Sequence, residues 1–79
     1  MAIDYTDDVF VMVGCDLAQA ERTADAASIA AVYRLPYRTA QALVDDLIEA
    51  GVLDADGHPT VATPRRAASL ARAWLASLH

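Results

Sequence analysis

The 79-residue sequence has no lysine, a single cysteine and no long apolar run. The lone Cys15 excludes an internal disulfide, and no basic-then-apolar leader is visible, so a cytoplasmic protein is expected. Apolar runs such as Val9 to Val13 stop far short of the roughly 20 residues that cross a bilayer. No glycine- or serine-rich tract, internal repeat or linker divides the chain, which reads as one domain over residues 1–79. At this size folding buries roughly 60 to 65 per cent of the unfolded surface, a thin margin that a dimer would relieve. There is no glycine-rich phosphate loop, and His58 and His79 do not have metal-ligand spacing. Cys15 sits in an apolar stretch that suits an inert core thiol. Neither catalysis nor a bound cofactor or metal is expected.

The net charge of −5 is adverse to a nucleic-acid partner, but it is unevenly placed. Six acids against Arg22 leave residues 1–25 at −5, while five acids against five arginines leave the remainder neutral. Every cation is an arginine, whose planar fork suits guanine or phosphate better than an ammonium does. A lysine-free, alanine-rich composition also follows from a GC-rich genome.

The segment from Ala26 to Leu53 organises the chain. A helix through Ile29, Val32 and Tyr33 is capped by Thr23 or Asp25, and Pro36 prevents it from continuing. A second helix, over about 37–50, places Ala40, Leu43, Val44, Leu47 and Ile48 on one buried face. Arg38, Thr39, Gln41, Ala42, Asp45 and Glu49 are left to water or a partner, and Gly51 ends the helix. This is a helix-turn-helix pattern.

Before it, Asp4 or Thr6 can cap a first helix with Asp7 and Asp8 in its opening turn and a Phe10–Val13–Leu17–Ala20 stripe. The β-branched run Val9 to Val13 would also suit a short strand, and Gly14 weakens a helix, but the composition of residues 16–22 favours one. After it, Asp56-Gly57 between two short β-prone runs signals a hairpin over about 52–62, kept short by Pro59. Thr63-Pro64 then opens a last helix to about Leu78, with Ala67, Leu70, Ala71, Trp74, Leu75 and Leu78 on one face. The expected fold is therefore mainly α with a small β-hairpin: a winged helix-turn-helix of three N-terminal helices, a two-stranded wing and a C-terminal helix. Trp74 and its neighbours either close the core over the first helix or pair with a second copy.

The run Arg34-Leu35-Pro36-Tyr37, then Ala40, Leu43-Val44-Asp45-Asp46-Leu47 and Glu49-Ala50-Gly51-Val52, resembles the C-terminal gamma domain of FtsK-type DNA translocases. That family is a winged helix that reads short oriented sequences on the bacterial chromosome. The resemblance covers about a third of the chain well and the flanking helices only in pattern. Pro36 stands where the family has glycine, and Thr39 and Ala42 where it has the arginines that engage DNA. The resemblance thus implies duplex binding, at a different site and more weakly.

The function these readings lead to is sequence-specific binding of double-stranded DNA, by a bacterial transcriptional regulator or a DNA-transfer or partition factor. Tyr37, Arg38, Thr39 and Gln41 would enter the major groove, with Arg38 forked onto guanine and Gln41 onto adenine. Arg34, Arg65 and Arg66 would hold phosphates, and His58 and Thr60 in the wing would reach an adjacent groove. A homodimer through Phe10, Val13, Leu70, Trp74 and Leu78 would suit a palindromic operator. The alternative is a protein-interaction or dimerisation adaptor without DNA binding, which the acidic first third and the missing family arginines favour. Arg38 and Gln41 also suit a plain solvated helix face, and Tyr37 a half-buried hinge.

Overall fold

The structure, a computed structural model, describes residues 5–78; Asp4, the alternative cap of the first helix, lies outside them. Four helices follow one another: α1 (Asp7–Ala20), α2 (Ala26–Tyr33), α3 (Tyr37–Glu49) and α4 (Pro64–Ser77). Val9 to Val13 is helix. Thr6 accepts the Val9 N–H at 3.2 Å, and Asp7 and Asp8 meet the positive end of the α1 dipole. Asp25, rather than Thr23, starts α2, accepting from the Ser28 amide at 2.8 Å and the Ser28 hydroxyl at 3.1 Å. Thr63 caps α4 at the Arg66 amide, with Pro64 in the first turn, where its missing N–H leaves no helical bond unmade.

The helices pack as two pairs, α1 with α4 and α2 with α3. The first pair is antiparallel: the Cys15 thiol donates to the Pro64 carbonyl at 3.3 Å, while Asp7 and Asp8 share a groove with Leu75 and Ala76. Trp74 closes the core over α1, its ring 5.2 Å from that of Phe10, which stacks on Tyr5 at 5.4 Å. The pairs meet where Gly14 of α1 lies against Leu47 of α3 and Val52; a Cβ there would stand 3.3 Å from Leu47. That close approach accounts for a glycine in mid-helix, which otherwise weakens α1 by about 1 kcal/mol. Phe10, Val13, Leu43, Leu47, Val52 and Leu53 are fully buried and form the centre of the core.

The expected wing is not there: the described residues form four helices with no strand and no sheet. The chain after Gly51 makes one isolated antiparallel bridge, between Leu53 and Pro59. Two causes are visible. Val52 and Leu53 are both buried, so this run plugs the core with consecutive side chains instead of alternating between core and solvent as a wing strand does. The Asp54 amide donates to the His58 carbonyl at 2.8 Å and the Thr60 amide to the Val52 carbonyl at 2.9 Å, flanking the single bridge. The turn is also tied outside the pair: Asp54 Oδ1 accepts the amides of Asp56 and His58, both at 2.9 Å, and the Gly57 carbonyl is taken by the Ala24 amide at 2.8 Å. The Asp-Gly signal marks a real turn, but the strands it would join do not form.

Two side-chain placements also differ from the helical pattern. Val32 is 64% exposed on α2, where only Ala26 and Ile29 are buried, and Tyr33 is half-buried with its hydroxyl on Asp16 at 2.8 Å. Thr39, read as exposed, is buried on α3 beside Ala40. Among the described residues no helix is long and apolar enough to cross a membrane.

Candidate nucleic-acid interface

The α2–α3 turn is tight because Arg34 ends α2 in the left-handed region (φ 55°), which lets the Arg34 and Leu35 amides both return to the Ala30 carbonyl. Pro36 then starts α3 in extended geometry. Proline has no side-chain acceptor, so α3 alone of the four helices begins without a side-chain cap, and no acid occupies its first turn. Its first amides therefore face outward at the positive end of the helix dipole. Around them Arg34 and Arg38 are exposed, and Tyr37 is 62% exposed. None of the six arginines lies within 4.0 Å of a carboxylate among the described residues.

The other expected contacts do not join this group. Thr39 faces the core. Gln41 is exposed but donates to Asp45 Oδ1 at 3.0 Å, so its amide is already engaged within α3. Arg65 and Arg66 are exposed at the start of α4. That point lies beside Cys15, and its neighbour Gly14 touches Leu47, nine residues along α3 from Arg38. Of the residues assigned to a wing, His58 closes the turn and Thr60 lies just past the single bridge. His58 Nδ1 is 3.8 Å from Asp54 Oδ1 with both groups exposed, and the Thr60 hydroxyl donates to the Gly51 and Val52 carbonyls. Of the proposed dimer residues, Phe10 and Val13 have no exposed surface and belong to the core, Leu70 and Trp74 are half-buried, and Leu78 is exposed.

Two features were not anticipated from the sequence. Asp25, Asp45 and Asp56 come from three different segments to rim one groove floored by Val44 and Ile48, with Tyr37 at its edge. No spacing rule connects them, because the Ala24–Gly57 hydrogen bond that draws the two loops together is a tertiary contact. The run Asp54-Ala55-Asp56-Gly57-His58 also brings its three ligand-type side chains within 4.8 Å of one another, all exposed. This alternate-residue pattern was legible, but the Asp54 oxygen nearest the turn is already saturated by backbone amides. Those N–H groups, His58 first, hold the Asp54 carboxyl below its ordinary range, as Ser28 does for Asp25. His79 lies outside the described residues. Burial and then the bond to Asp16 push Tyr33 up to about 12, and burial with the bond to Asp46 raises Tyr5.

Compared with known proteins, the chain matches no family model, no curated sequence and no solved structure.

Proposed function

We propose that the chain binds double-stranded DNA end-on, through the first turn of α3. The observation that carries this is the uncapped start of that helix, flanked by the exposed Arg34, Tyr37 and Arg38. Outward amides, a positive dipole end and two guanidinium groups are what a backbone phosphate requires. The likeness of residues 34–52 to the FtsK gamma segment supports the reading for the α2–α3 pair alone.

The contact is narrow. Asp45 and Glu49 lie further along the exposed side of α3, so a duplex is accepted at the helix end and repelled along its length. With Thr39 buried and Gln41 engaged, Arg38 is the chief reader of a base edge, giving about 1–3 kcal/mol of discrimination at one position. Arg65 and Arg66 add sequence-independent contacts at a distance. A cytoplasmic role in transcription, DNA transfer or partition goes with this reading.

Fluorescence anisotropy with labelled duplexes across a salt series tests it. About three phosphate contacts give log K falling with log salt at a slope of about −3. The paired change Arg34→Ala and Arg38→Ala is expected to remove binding. Arg65→Ala with Arg66→Ala is expected to weaken binding to all sequences and flatten the slope. Absence of binding at low salt overturns the proposal. It would leave the adaptor reading, which the groove rimmed by Asp25, Asp45 and Asp56 favours as a seat for a basic partner.

A further inference from the structure

On the opposite pair of helices, we propose that the α1–α4 face is a two-fold interface between two copies of this chain. α1 and α4 are separated at the surface by a groove of about 520 Å³. Its lining is mixed: Met12, 46% exposed, is the large apolar side chain open to water there, above the buried Leu75; Leu78, just past the end of α4 and outside the groove, is 44% exposed. These are two of the four large apolar side chains that the described residues leave in water. Asp7 and Asp8 stand on the α1 side of the groove and Arg72 on the α4 side.

That arrangement specifies the occupant. A two-fold axis along the groove lays Met12 against its own image and sets Asp8 of each copy opposite Arg72 of the other. A surface carrying both signs on opposite walls is complementary to itself, as an isologous contact requires. A uniformly basic or acidic partner would meet one matched wall and one repelling wall. The pairing also covers apolar surface that a chain this small cannot bury alone. Residues on the other side of α1, Phe10 and Val13, take no part, because they face the core. The inference is independent of the DNA reading, since no residue of the α3 turn belongs to the groove.

The test is sedimentation equilibrium from about 10 µM to about 1 mM, the range that a small interface calls for. The wild-type chain is expected to double in mass across that range. Asp8→Arg sets two guanidinium groups against each other across the axis, and Arg72→Glu sets two carboxylates against each other. Each change alone is expected to weaken self-association about tenfold or more. An equimolar mixture of the two variants restores opposite charges across the interface and is expected to give a heterodimer at least as tight as the wild type. Met12→Gln, at an exposed position, weakens association without altering charge, and circular dichroism establishes that each variant keeps its helices. A wild type that stays monomeric, single variants that associate as the wild type does, or folded variants that fail to combine on mixing would each overturn the proposal.

Discussion

Gly51 and Gly57 share nearly the same left-handed backbone, φ 86° and 84°, but their surroundings differ. A Cβ on Gly51 would meet open space, whereas one on Gly57 would stand 2.4 Å from the Ala24 carbonyl oxygen. Gly51→Ala is therefore expected to cost about 1 kcal/mol, the left-handed penalty alone. Gly57→Ala adds a backbone collision and is expected to cost about 3 kcal/mol, with the Ala24–Gly57 hydrogen bond broken. Urea denaturation of the two variants separates these values. Arg34 poses the reverse case, a side chain held where glycine is preferred. Arg34→Gly is expected to stabilise the fold by about 1 kcal/mol while weakening DNA binding several-fold, which paired denaturation and anisotropy measurements would detect. A change that improves stability and impairs binding marks a residue kept for its contact with a partner.

Helix starts give the next scale its chemistry. The Asp25 carboxyl sits below its ordinary 3.8 because the Ser28 amide and hydroxyl stabilise the charged form. A lowered folded value means that the carboxylate's contribution is present above pH 3.8 and lost as the pH falls through the folded value. Helix content followed by circular dichroism is expected to fall on acidification in that window, and Asp25→Asn, which keeps an acceptor without a titration, is expected to flatten the response. The starts of α1, α2 and α4 were legible because Thr6, Asp25 and Thr63-Pro64 act on amides two or three residues away. The buried face of α3 was legible for the same reason, since the helical period repeats within the segment itself. The wing was not, because Asp56-Gly57 encodes a turn locally while strands depend on longer pairing, which the burial of both Val52 and Leu53 and the Ala24–Gly57 bond limit to one bridge. Thr39 and Val32 fall opposite to expectation: Thr39 is buried on α3 beside Ala40, and Val32 is left in water on α2, where only Ala26 and Ile29 are buried.

Across the whole molecule, charge and packing divide the surface into separate districts. The excess acid of the first third is partly carried by the first turn of α1, on the α1–α4 pair, and the α3 turn stands on the other pair with Arg34 and Arg38. The separation is incomplete, since Asp25, Asp45 and Asp56 rim the groove beside Tyr37 and confine a phosphate contact to the Arg34 and Arg38 side of the turn. With a net charge of −5 there is little long-range steering, so association is expected to be slow for a DNA-binding domain. The antiparallel pairing of α1 with α4 has an effect during synthesis. α1 leaves the ribosome well before α4, so Phe10 waits without its Trp74 neighbour until α4 has been added. A nascent chain ending before Thr63 would hold the α2–α3 pair without a lid for α1, and this core closes only once α4 has been made.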